Sequence, residues 1–214
     1  MGTASGPVTL GYVHAGEVRA EFMRSVLNVT AGPDALPQIV SVQESTCGSL
    51  IGKARNQLVE QFLKSDSEWL WQVDTDTVFN RQALPRLLKA ADAVTAPVVS
   101  GLVYILREDG KVPSMFTLGQ DGGGLFMEPI RSWRQGSVVE ADACGAACLL
   151  VHRTVYEKIE ANQGQAWFLT GANGLIGEDI AFCLRARQVG GWRPRVATNV
   201  QCGHVKSVVI GAVS

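Results

Sequence analysis

The first hundred residues alternate between short apolar runs and stretches with helical spacing. VTLGYVH (8–14) reads as a buried strand, and a helical pattern runs from about Val18 to Val29. PQIVSVQ (37–43) predicts a second strand, and IGKARNQLVEQFLKS (51–65) a helix with Ile51, Leu58, Phe62 and Leu63 on one face. EWLWQVD (68–74) is a third strand that ends in acids, and RQALPRLLKAA (81–91) a short helix that tolerates Pro85 in its first turn. AVTAPVV (93–99) predicts a fourth strand. Strands that alternate with helices of this length form a mostly parallel sheet with helices on both faces.

The second half changes character. SMFTL and SVVEADACGAACLLVH are apolar runs separated by the Gly-rich stretch GQDGGG (119–124), a pattern of antiparallel strands and a mobile loop. RTVYEKIEA (153–161) predicts a helix, and IGEDIAFCLRARQVGG (176–191) another, with acids in its first turn and Gly190-Gly191 after its end. RPRVATNVQCGHV (193–205) reads as a closing strand. No internal repeat or linker divides the chain, so the expectation is one α/β domain over 1–214. The first half, about 7–100, is expected to bind a nucleotide, and the second, about 101–206, to be more variable.

Composition narrows the function classes. At 46% hydrophobic and 18% charged residues, the chain has the make-up of an ordinary globular protein. A net charge of −1, with no run of Lys or Arg longer than two, speaks against nucleic acid as a partner, because phosphate contacts need a basic face. The five cysteines are odd in number and form no C-x-x-C pair, which points away from zinc and toward a reducing, cytoplasmic setting. The opening MGTASGPVTLGYV lacks the basic and apolar regions of a signal peptide. The apolar stretch VTAPVVSGLVYIL is too short and too interrupted to span a bilayer.

Four groups of residues could carry chemistry. Asp74 and Asp76, at the carboxyl end of the third strand, lie where open α/β sheets bind ligands, and their i, i+2 spacing turns both carboxylates to one side. They suit Mg²⁺ or Mn²⁺ carrying a diphosphate, or equally a plain polar turn after a strand. Glu178 and Asp179 open a helix, where acids are favoured by the helix dipole, but where one could also take a proton from an acceptor hydroxyl. His204 follows Gly203 near the end of the last strand; a lone His is usually a satisfied structural residue, yet a neutral imidazole can complete a carboxylate-bound divalent site. Arg55-Asn56 offers a cationic fork suited to phosphate, or simply a solvated helix face.

Taken in order, ARNQLVEQFL, EWLWQVDTDTVF, DACGAACLLVHRTVYEKI, WFLTGANGLIGEDIAFCLRARQVGG and a final CGH resemble glycosyltransferases of the A-type (GT-A) fold, the nucleotide-diphospho-sugar transferase fold, and within them the family 2-like group. The resemblance spans about residues 7–206 and implies a nucleotide-binding half over about 7–100 and an acceptor-binding half over about 101–206. It implies that Asp74-Thr75-Asp76 is a D-x-D motif, in which Asp76 binds the metal while Asp74 contacts the nucleotide ribose, or the metal through water. It further implies His204 as the residue that completes the metal site, Asp179 as catalytic base, and Glu178 as the residue orienting donor or acceptor. Arg55 is expected to hold the donor nucleotide, Tyr12 and His14 to cradle its base, and Gly145 and Ala146 to be small so that the donor sugar can approach. The implied activity is transfer of a sugar, of the hexosyl class, from a UDP- or GDP-linked donor to a protein or glycan acceptor, with Mn²⁺ or Mg²⁺ as cofactor. GQDGGG is either a lid over the donor or a plain hairpin. The absence of Q-x-x-R-W after the E-D pair argues against a processive synthase, and the absence of a Gly-rich phosphate loop in VTLGYVHAGEVRAEF against a pyrophosphorylase. A nucleotide-sugar phosphohydrolase, or a non-catalytic binding module of the same fold, would use the same residues.

Overall fold

Four strands of this chain are buried along nearly their whole length, which requires cover on both sides of the sheet that contains them. The computed structural model describes residues 4–108, 110–121, 124–171 and 176–206. Its elements run β1 (Val8–His14), α1 (Ala20–Thr30), β2 (Ile39–Thr46), α2 (Ile51–Leu63), β3 (Trp69–Asp74), β4 (Thr77–Val78), α3 (Ala83–Ala90) and β5 (Val98–Leu102). They continue with β6 (Tyr104–Arg107), β7 (Gly110–Pro113), β8 (Met115–Asp121), β9 (Gly124–Pro129), β10 (Val138–Glu140), β11 (Ala143–Cys144) and β12 (Cys148–His152). The last are α4 (Arg153–Gln163), α5 (Glu178–Gly190), β13 (Arg195–Gln201) and β14 (Gly203–His204).

The central sheet has seven strands in the order β10-β13-β5-β12-β3-β1-β2. β1, β2, β3, β5 and β13 point one way; β12, inserted between β3 and β5, and β10 at the edge point the other. The mostly parallel sheet expected from the alternation is therefore present, and its antiparallel part includes a strand at the centre. Side-chain alternation divides the core. Leu70 of β3 points toward α2, α4 and α5, with Leu58, Phe62, Tyr156 and Phe182. Trp69, Trp71 and Val73 point toward α1 and α3, with Phe22, Val26, Leu84 and Leu87. No helix among the described residues is long and apolar enough to cross a membrane.

Several boundaries differ from the sequence expectation. The fourth strand begins at Val98, because the Asp92 carboxylate accepts hydrogen bonds from the backbone N–H groups of Val94 and Thr95 at 3.0 and 2.8 Å and folds 92–96 into a turn. The stretch 119–124 is mostly the arms of the β8–β9 hairpin, paired as far as Asp121 and Gly124; residues 122–123, on which the lid expectation also falls, lie outside the described residues. The run 137–152 is three strands belonging to two sheets, since β11 leaves the main sheet to pair with β8. The apolar face of α2 is rotated from the one expected: Ile51 is 37% exposed and Leu63 half-buried, whereas Ala54, Leu58, Val59 and Phe62 are buried together with Arg55. Arg55 moves inward because its charge finds partners there.

Candidate functional site

The carboxyl ends of β1 and β3 and the start of α5 converge, and the acids the sequence singled out lie there in two groups. Asp74 is the last residue of β3, held by its backbone N–H on the carbonyl of Ala147 at 3.1 Å. The chain then turns through Thr75 and Asp76 into β4.

The first group is built on Arg55. Its guanidinium is 3% exposed and donates through Nη2 to Oδ1 of Asp74 at 2.6 Å and through Nε to Oε1 of Glu178 at 3.3 Å. An isolated buried guanidinium costs several kcal/mol of lost hydration. Burial pulls its pKa down, but the charges of Asp74 and then Glu178 outweigh burial and hold it above the ordinary value. Arg55 thus ties the end of β3 to the start of α5. Its neighbour Asn56 anchors the chain leading into that helix: the side-chain amide donates to the Phe168 carbonyl at 3.1 Å, and its oxygen accepts the Phe168 N–H at 2.8 Å. Gly52 lets α2 come this close, since a Cβ there would stand 3.0 Å from the Phe168 carbonyl and 3.4 Å from Cβ of Glu178.

Asp179, beside Glu178 in the first turn of α5, accepts the N–H of Ile180 at 2.8 Å. Burial, then the neighbouring charge of Glu178, pushes its carboxyl above the ordinary value, against the pull of the Ile180 N–H and Arg55. A carboxylate of raised basicity is what general-base work needs. Gly145 faces it: a Cβ at Gly145 would lie 3.6 Å from Oδ2 of Asp179 and would collide with Oγ of Ser114. Ala146, expected beside the sugar, is 2% exposed and packs into the core below α5, while Ala147 is the partly open residue that meets Asp74.

The second group is built on Asp76. The expected closing strand breaks at Cys202, and β14 pairs antiparallel with β4, setting His204 opposite Thr77. The Val205 N–H bonds to the Asp76 carbonyl at 2.7 Å, and Nε2 of His204 comes 2.9 Å from Oδ2 of Asp76. Nδ1 of His204 lies 3.1 Å from the Tyr104 carbonyl, which can only accept, so Nδ1 carries a hydrogen. Nε2 of a neutral ring therefore turns its lone pair toward a carboxylate, an arrangement that calls for a proton or a cation between them. The carboxylate suits Mn²⁺ or Mg²⁺, and an imidazole aimed by a backbone carbonyl could add a nitrogen ligand to a divalent cation. Among the described residues no three His, Cys, Asp or Glu side chains converge on one point, so a cation here could meet two such side chains, Asp76 and His204, while Asp74 is bonded to Arg55. Lys206 also reaches Asp76, with Nζ 3.0 Å from Oδ2.

A cleft of about 490 Å³ opens beside Asp76, lined by Glu17, Arg19 and Glu21 at the start of α1 and by Thr75. A second, of about 250 Å³, lies between β2 and α2, lined by Cys47, Ser49, Lys53 and Gln57, and none of the four acids lines it. Tyr12 and His14 stand at the end of β1, where register places Tyr12 beside Glu44 of β2. The Tyr12 hydroxyl donates to Oε2 of Glu44 at 2.7 Å, and burial, followed by that bond, pushes its pKa up to about 12. His14 accepts the Gly16 N–H on Nδ1 at 3.1 Å and faces Glu44 with Nε2 at 3.7 Å.

Sequence reasoning passed over Glu44 and Lys206. Glu44 carried a signal, as an acid at the end of a strand that alternates through Val40 and Val42. Lys206 stands at i+2 from His204, the spacing that made the two aspartates neighbours.

No protein-family model matches the chain, and no curated protein sequence matches it. Solved structures do share its fold. A197 from STIV superposes with a TM-score of 0.61 at 18% identity, over 93% of this chain and 86% of that one. GalNAc-T7, crystallised with UDP, GalNAc and Mn²⁺, superposes with a TM-score of 0.65 at 12% identity, over 94% of this chain, which spans 44% of its length. The α/β architecture of this chain is thus the GT-A fold, shared with the glycosyltransferase GalNAc-T7.

Proposed function

We propose that the chain is a metal-dependent glycosyltransferase, family 2-like within the GT-A fold and forming one domain, that moves a hexosyl group from a UDP- or GDP-linked donor to a hydroxyl of a protein or glycan. The observation that carries this reading is the pairing of β14 with β4, which sets His204 against Asp76 at the carboxyl end of the sheet and beside an open cleft. Asp76 and His204 would hold Mn²⁺ or Mg²⁺. A cation bound there supplies neutralisation of the charge that builds on the leaving nucleoside diphosphate.

The chain's own residues do the rest. Oδ2 of Asp179, which faces Gly145, takes the proton of the acceptor hydroxyl as its oxygen bonds to the anomeric carbon. The bond from that carbon to the diphosphate breaks, and its electron pair leaves with the nucleotide. Arg55 holds Asp74 and Glu178 at a set separation, Asp74 meeting the ribose and Glu178 orienting donor and acceptor. That is a positioning role, in place of the direct phosphate contact expected from the sequence. Tyr12 and His14 border the place of the base. The five unpaired thiols support a reducing, cytoplasmic setting.

The test is a panel of UDP- and GDP-sugars incubated with the chain and Mn²⁺, with glycan and peptide acceptors present and absent. Transfer that requires an acceptor and is lost in Asp179→Asn is expected. Turnover to free sugar that no acceptor stimulates would replace the transferase by a phosphohydrolase.

A further inference from the structure

Lys206 lies two residues beyond His204, on the same side of an extended segment, so both side chains reach one carboxylate. Oδ2 of Asp76 lies 2.9 Å from Nε2 of His204 and accepts from Nζ of Lys206 at 3.0 Å. The two contacts differ in kind. His204 is 18% exposed and fixed from behind by the Tyr104 carbonyl, whereas Lys206 is 52% exposed, so its ammonium can swing away on its flexible stem. A divalent cation on this oxygen would stand within a few ångströms of the ammonium, and like charges that close repel. The two cations compete for one place.

We propose that Lys206 is the resident counter-ion of Asp76: a divalent cation displaces it, and the released ammonium then pairs with the diphosphate of the donor. The proposal rests on the reading of Asp76 and His204 as the cation site. It makes cation and nucleotide help each other bind. The cation alone must break the Lys206 contact, whereas the cation arriving with a diphosphate offers the ammonium a new anionic partner at the mouth of the same cleft.

The experiment titrates Mn²⁺ into the full chain and into Lys206→Met, with the free ion followed by electron paramagnetic resonance. UDP and GDP are then titrated calorimetrically in saturating Mn²⁺. Without nucleotide, Lys206→Met is expected to bind Mn²⁺ roughly two- to fivefold more tightly, the factor of one part-exposed ion pair. The tighter nucleotide of the two is expected to bind the variant more weakly by a comparable factor, and Lys206→Arg to return both values toward those of the original chain. Opposite signs in the two titrations are the signature, since a merely structural lysine would weaken both. Unchanged or weaker Mn²⁺ binding in Lys206→Met, with Asp76→Ala abolishing it, overturns the counter-ion and leaves the cation site standing. Unchanged nucleotide affinity overturns the hand-over to the diphosphate. If neither protein takes up Mn²⁺, with or without nucleotide, the counter-ion and the cation site fall together.

Discussion

His204 and Asp76 are 128 residues apart in sequence and 2.9 Å apart in space. Two short strands achieve this: β4 turns out of the sheet directly after the D-T-D triplet, and β14 returns to pair with it. The contact is partly exposed on both sides, at 18% and 32%, so as an ion pair it adds at most ~1 kcal/mol to stability. Asp76→Asn is therefore expected to unfold within a few degrees of the original chain while losing Mn²⁺ affinity by tenfold or more. Thermal unfolding with and without Mn²⁺ checks both; a collapse in stability would make Asp76 structural.

Arg55 behaves in the opposite way. It is buried, and its removal leaves Asp74 and Glu178 facing each other without the charge that separates them. Arg55→Met is expected to cost on the order of 3 kcal/mol, the scale for breaking a buried ionic cluster. Arg55→Lys should recover only part of this, because one ammonium cannot repeat the fork that spans both carboxylates. Urea denaturation measures the loss, and a change below ~1 kcal/mol would contradict the positioning role.

Asp179 links stability to pH with a definite sign. Its folded pKa is above the unfolded value of 3.8, so the fold favours the neutral acid and the charge weakens the fold. That penalty is fully present above the folded pKa and disappears below 3.8. Asp179→Asn should accordingly be more stable than the original chain near neutrality and indistinguishable from it in acid. In the original chain, transfer should fall with decreasing pH on a limb displaced upward from the ordinary carboxylate range. Melting curves across pH, paired with a rate profile, test this; a variant less stable at neutral pH would refute it.

Gly145→Ala isolates the space in front of Asp179. The new methyl meets Ser114 Oγ on one side and approaches Oδ2 of Asp179 on the other. Overpacking of this kind costs about 1–3 kcal/mol. Adding Ser114→Ala should restore much of the stability, while kcat/KM stays reduced tenfold or more. Activity that recovers together with stability would mean that nothing needs the space beside Asp179.

Much of this arrangement could be read from the chain. WLWQVDTD announces a buried strand that ends in acids, and GEDIAFCLRAR a helix that begins with them; both are local patterns, and both elements formed where expected. What escaped depends on distant partners. Arg55 looks solvated on a helical wheel, yet it is buried, because Asp74 and Glu178 lie 19 and 123 residues away in sequence. The run holding β12 reads as antiparallel, and β12 is; its insertion between β3 and β5 is not legible, because its buried apolar run is like that of its parallel neighbours. Ala146 reads like Gly145 as a small residue, but in the bend between β11 and β12 its methyl is buried in the core.

The proposed divalent cation on Asp76 and His204 would bind the donor diphosphate. Calorimetric titration of UDP and GDP into the original chain and into His204→Ala, in Mn²⁺ and again in EDTA, addresses it directly. Nucleotide binding that needs Mn²⁺ in the original chain and is weakened tenfold or more in His204→Ala is the expected result. Equal binding in EDTA, or an unchanged affinity in the variant, would contradict it.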